Sequence, residues 1–186
     1  MTVSPSVGRK QLHTREIKCI GYERDDGLWD IEGRITDTKT YSYDNEDRGI
    51  VISGSPVHDM TIRLTIDEDL LVHKAEAHTL SSPFDICPNI ANSVEKLRGL
   101  KISSGWRKSV RDKIGGTNGC THITQLLIGP LATTAYQTIV PLKRHPHKNK
   151  NPSRRPSIID TCYGWSAKGP IVKRIWPQYH RETESI

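Results

Sequence analysis

No apolar run in this sequence approaches the roughly 18 residues of a membrane-spanning helix, which argues against a membrane protein. The N-terminus, MTVSPSVGRKQ, lacks the apolar segment of a secretory signal, so the expected location is the cytoplasm. Cysteine is sparse: Cys19, Cys87, Cys120 and Cys162 are too widely spaced for a CxxC pair. That argues against a zinc ribbon or a redox couple and leaves free thiols as the expectation. Also absent are GxGxxG after a strand, the phosphate-loop pattern GxxxxGKS/T, the nucleophile elbow GxSxG and the zinc motif HExxH.

What is present fits one domain. A chain of 186 residues can bury a full core without disulfide or metal staples. The hydrophobic share of 34% and mean hydropathy of −0.56 are low but still globular. The expected layout is a flexible tail over 1–11 and a single α+β domain over 12–186. A mobile basic loop at 143–156 interrupts that domain. The formal net charge is +6, and the six cations of KRHPHKNKNPSRR (143–155) account for all of it. The rest of the chain is neutral. That loop has no aromatic residue for base stacking, so no nucleic-acid partner is expected. The bland reading is a solvated loop, and the functional one a lid that attracts an anion. His145-Pro146-His147 within it is a weak metal motif.

The first half reads as strands. Asp25-Asp26-Gly27 is a turn signal between two extended stretches, so 12–40 is a β-hairpin. Trp29, Ile31, Gly33 and Ile35 alternate with polar residues, as on a half-buried strand. DNEDRG (44–49) reads as a polar loop. VHDMTIRLTID (57–67) puts His58, Met60, Ile62, Leu64 and Ile66 on one face, and LLVHKAEAHTL reads as its antiparallel partner.

The second half reads as helices. They are expected from Asn92 to about Arg98, from about Gly105 to Ile114, and from Thr121 to Ile139, with Pro130 kinking or dividing the last. SIIDTCYGW and PIVKRIWP suggest a final hairpin added to the sheet. The expected fold class is α+β, an antiparallel sheet of about five or six strands with two or three helices on one face.

Two histidines and one helix start carry the chemistry. Gly119-Cys120-Thr121-His122 opens the long helix, where free amides and the helix dipole favour an anion or oxyanion. Cys120 would be acidified there, and His122 would stay neutral, as suits a general base. Against this stands a plain capping turn, with Thr121 as the cap and His122 half-buried. His58 lies on an apolar strand face, where it needs a hydrogen-bond partner. Asp59 faces the other way, so a carboxylate from another strand would have to orient it. The candidate catalytic residues are therefore His122, His58 and Cys120. Asp30, Asp37 and Arg63 are expected as exposed sheet pairs. Arg24 or Arg34 could hold a carboxylate bidentately, and Trp106 is core or pocket wall. Arg24, Thr121, Trp106 and Arg63 complete the candidate substrate contacts.

The segments GYERDDGLWDIEGRITDTK, GSPVHDMTIRLTID, LRGLKISSGWRKSV, GGTNGCTHITQLL and IIDTCYGW resemble a bacterial domain-of-unknown-function family, numbered 2889. The likeness covers roughly residues 13 to 178, without the basic loop. It implies an accessory role in small-molecule catabolism and no particular activity. The expectation is a small enzyme without cofactor or metal, doing acid–base chemistry on an organic acid or acyl thioester: isomerase, hydratase or dehydratase, or hydrolase. A non-catalytic ligand-binding or accessory subunit and a metal-dependent hydrolase are the rivals. The oligomeric state, a homo-oligomer included, stays open.

Overall fold

The computed structural model describes residues 7–143, 155–156 and 158–182. The basic stretch at 144–154, with His145-Pro146-His147, lies outside the described residues, as do residues 1–6 of the N-terminal tail. The chain divides into two compact units, Met1–Ile139 and Val140–Ile186.

The first unit is built on a four-stranded antiparallel sheet, in the order β1-β2-β5-β6. β1 (His13–Glu23) and β2 (Trp29–Lys39) form the expected hairpin. Gly27 closes it at φ 79°, a conformation that glycine adopts freely. β5 (Pro56–Ile66) runs beside β2, and β6 (Val72–Ser81) beside β5. Alternation puts Ile31, Ile35, Met60, Ile62 and Leu64 on one buried face, with charged residues on the other. The polar segment 44–49 is more ordered than expected. It forms a separate hairpin of β3 (Tyr43–Asn45) and β4 (Gly49–Val51). The Asn45 side chain accepts the Asp47 and Arg48 amides, and Gly49 takes φ 67°.

Helices cover the buried face. A 3-10 helix spans Cys87–Leu97, earlier than the capping pattern at Asn92 suggested, because Pro88 fits its first turn. α1 (Trp106–Ile114) follows, and Gly116–Asn118 make a short 3-10 turn. The long helix then runs as α2 (Thr121–Leu126), a π-helical segment (Leu127–Leu131) and α3 (Ala132–Lys143). Pro130 explains that division: it has no N–H to donate and its ring crowds the carbonyl four residues back. A local widening of the helix relieves both. The sheet meets this helix at Gly33, where a Cβ would fall 2.5 Å from Leu131 Cδ1 and 3.1 Å from Leu126 Cδ2. Only a glycine lets the helix come so close.

The second unit corrects the expected final hairpin. Its elements are a 3-10 turn at Tyr163–Trp165, α4 (Pro170–Ile175) and a 3-10 turn at Pro177–Tyr179. Pro170 opens α4 at its first position, where a missing N–H costs nothing. Ile159, Ala167, Val172 and Trp176 form a small core of its own. Among the described residues no helix is long and apolar enough to cross a membrane.

Candidate functional site

Asp37 stands at the centre. The alternation that buries Ile31, Gly33 and Ile35 continues to residue 37 and carries its carboxylate onto the apolar face. It is 2% exposed, not the exposed sheet pair expected from its polarity. A register shift follows Asp37 in the pairing of β2 with β5: it opposes His58 while Thr38 opposes Pro56. The extra residue bends the strand beside these two side chains.

Both Asp37 oxygens are occupied. Arg15 on β1 grips them bidentately, Nε to Oδ1 at 2.7 Å and Nη2 to Oδ2 at 2.8 Å. His13 Nε2 lies 3.1 Å from Oδ1. His58 Nδ1 lies 3.1 Å from Oδ2, and His122 Nε2 lies 3.7 Å from the same oxygen. So β2 supplies the orienting carboxylate that His58 requires. His58 and His122, far apart in sequence, face each other with ring centroids 3.9 Å apart and planes tilted by 33°. Arg15 also donates from Nη1 to Gln125, one helical turn beyond His122.

The turn before α2 sets the position of His122. Gly116 adopts φ 58°, and a side chain at Gly119 would run into the Ile114 carbonyl. Cys120, and not Thr121, occupies the N-cap, and no side chain bonds the cap there. The Cys120 thiol lies 3.7 Å from Met60 Sδ and 4.0 Å from His122 Nδ1. Cys120 therefore belongs to the same cluster, and the Thr121 side chain is exposed.

Electrostatics divide the cluster into an anion and two neutral imidazoles. Burial pushes the Asp37 carboxyl up, but the Arg15 hydrogen bonds and charge, helped by His58 and His13, hold it at about 2. Burial pushes His58 down, and Asp37 only partly offsets this. Burial lowers His122 as well, and the His58 and Arg15 charges add to it. Near neutral pH the site thus holds a carboxylate and two uncharged rings. A ligand atom from each of Asp37, His58 and His122 lies within 4.8 Å of the others, which is metal-binding range.

The other sequence candidates lie elsewhere. Arg24 is tied to Asp26 and Asp30 at the hairpin turn. Arg34 pairs with Asp59, and Arg63 with Glu32, on the opposite face of the sheet, where Lys18, Arg63 and His78 help line a groove. Trp106 is buried and donates Nε1–H to the Leu127 carbonyl at 2.9 Å, in the π segment. Asp37, Arg15 and His13 were not among the candidates, although period two placed all three on the face of Ile17 and Ile35.

Sequence comparison matches residues 13–137 to the family described as Protein of unknown function (DUF2889). The chain belongs to that family. The matched span includes every residue of the DUF2889 cluster, from His13 to Gln125. No curated protein and no solved structure matches this DUF2889 chain.

Proposed function

We propose that this DUF2889 chain is a small enzyme of organic-acid or acyl-thioester metabolism that works by acid–base chemistry. The observation that carries the reading is the buried Asp37 carboxylate 3.1 Å from His58 Nδ1, with the His122 ring stacked beside it. When Nδ1–H donates to Asp37, the lone pair of His58 Nε2 becomes the basic end. The burial that depresses both imidazoles keeps them uncharged near neutral pH, the form a general base needs. Asp37 stabilises the imidazolium formed when His58 takes a proton from carbon or water. The proton held by His58 then reaches the second position by way of His122, whose neutral ring accepts it before donating it, and this completes an isomerisation, hydration or dehydration. Cys120, beside His122, is the candidate nucleophile for the hydrolytic variant.

The test is proton exchange in deuterated water with a panel of carboxylic acids and coenzyme A esters, read by NMR. The expected result is deuterium at one carbon of one compound class, and a loss of about 100-fold or more in His58→Gln. Full exchange in both His58→Gln and His122→Gln would end the reading. A compound bound tightly and recovered unchanged would point to a ligand-binding or accessory subunit.

One observation favours a metal-dependent hydrolase as a second reading. The separations of 3.1 and 3.7 Å from Asp37 Oδ2 bracket the edge of about 3.4 Å in a tetrahedral site with bonds of about 2.1 Å. Stoichiometric zinc or iron in protein purified without chelator, with activity lost on its removal, would replace the acid–base reading.

A further inference from the structure

The first strand of the sheet is an open edge. Among the described residues β1 has one strand neighbour, β2, although it runs for 11 residues. At the far edge, Val72 of β6 donates its amide to the Leu100 carbonyl and accepts the Gly99 amide. A long unpaired edge is a template for another strand.

Its hydrogen-bonding phase follows from the hairpin. The Arg24 amide donates to Leu28, and the Thr40 amide donates to Leu12, so the pairs 24–28 and 12–40 are bonded pairs of the ladder. Bonded pairs recur every second residue. The even-numbered residues of β1 therefore bond to β2. The odd-numbered ones, His13 through Glu23, turn their N–H and C=O groups outward.

We propose that a second copy of this chain adds its β1 to this edge, antiparallel, about a two-fold axis at Ile17. With the axis perpendicular to the sheet, opposite residues share a face, so only residues of equal parity pair. In the register centred on Ile17, the odd residues form the bonded pairs, as their outward groups require. Ile17 meets Ile17 of the second copy, and Arg15 meets Cys19. The even residues form the close, non-bonded pairs. There Glu16 faces Lys18 of the second copy, twice by symmetry. Leu12 faces Tyr22, again twice.

Five exposed residues make this register self-complementary. Leu12, Ile17 and Tyr22 are 54%, 40% and 45% exposed, a large share for apolar side chains, and each gains an apolar partner. The Lys18 ammonium has the Glu16 carboxylate opposite it. Moving the axis to residue 16 would set Glu16 against Glu16, and moving it to residue 18 would set Lys18 against Lys18; both are repulsive. The contact is isologous, so it closes as a dimer with one eight-stranded sheet and does not grow into a fibre.

The test is sedimentation equilibrium of the full chain over a concentration series. Wild type is expected to dimerise. Lys18→Glu sets Glu16 against a second acid at two places and is expected to raise the dimer dissociation constant about tenfold or more. The double variant Glu16→Lys, Lys18→Glu restores both pairs with the charges exchanged and is expected to recover the wild-type constant. Ile17→Pro removes an N–H that faces away from β2 and has no partner among the described residues, so it should abolish the dimer and leave the far-UV circular dichroism unchanged. A wild type that stays monomeric at high micromolar concentration would overturn the proposal. So would a dimer indifferent to Lys18→Glu.

Discussion

Asp37 gathers two hydrogen bonds from Arg15 and one imidazole on each oxygen, and an amide in its place would reproduce little of this. In Asp37→Asn one amide group would point its own donors at the guanidinium, leaving Arg15 without a counter-charge. Arg15 is one-third exposed, which tempers the loss to about 1–3 kcal/mol of folding free energy, measurable by urea unfolding. Any proton-transfer activity should fall with it, because His58 loses the acceptor that sets its tautomer. Acid should act in a definite order. The depressed histidines bind protons more weakly folded than unfolded, so their contribution is complete above 6.5 and is lost as pH falls below it. The Asp37 contribution, about 2 kcal/mol for a carboxyl moved from 3.8 to about 2, is lost only as pH falls through that lower range. Melting temperatures across an acid series should therefore show two separate declines, and in Asp37→Asn the lower one should shrink to what Asp26, Asp67, Glu76 and Asp160, also held below the ordinary carboxyl range, still contribute. His58 was legible as a candidate because it interrupts an apolar strand face, and His122 because it lies in the first turn of a helix that opens after a glycine-rich stretch. Asp37 was not, because a carboxylate near a strand end reads as exposed unless the apolar alternation is followed to it.

Strands and helices met their sequence patterns unequally. The hairpin over 12–40 and the strand at 57–67 were legible because period two is strict there and Asp25-Asp26-Gly27 fixes the turn. The helix from Thr121 was legible in extent, and Pro130 marked where it departs from α geometry. PIVKRIWP misled, since a short apolar run fits a strand as well as a helix, and the deciding feature was Pro170 after Gly169. How closely the helix approaches the sheet was hidden, since no periodicity reports it. That closeness gives a clear expectation for Gly33→Ala. The added methyl would press on Leu131 and Leu126, and the cost should be about 1–3 kcal/mol in a chemical-denaturation experiment. No change in stability would mean that the helix can shift outward freely.

The whole chain separates where α3 ends its contact with the core. Ile139 is fully buried in the first unit's cluster, whereas Ile159, Ala167, Val172 and Trp176 form a separate one. The family match stops at residue 137, two residues earlier. A chain ending at Lys143 should therefore fold alone, melt cooperatively and keep the Asp37 cluster. Circular dichroism with thermal melting checks this, and a broad, non-cooperative melt would show that residues 144–186 are needed.

The Arg15 fork has a kinetic consequence. It joins Asp37, 22 residues away, to Gln125, 110 residues away, while His58 reaches Asp37 from β5. These contacts need the hairpin, the β5 pairing and the docked α2 all at once. Closing such long loops is slow, and no isolated segment is rewarded for doing so. The cluster can then exist only in the completed fold. During refolding, any signal from His58 and His122 should rise with the last phase and not with early strand formation, and partly folded chains should carry no fraction of the activity.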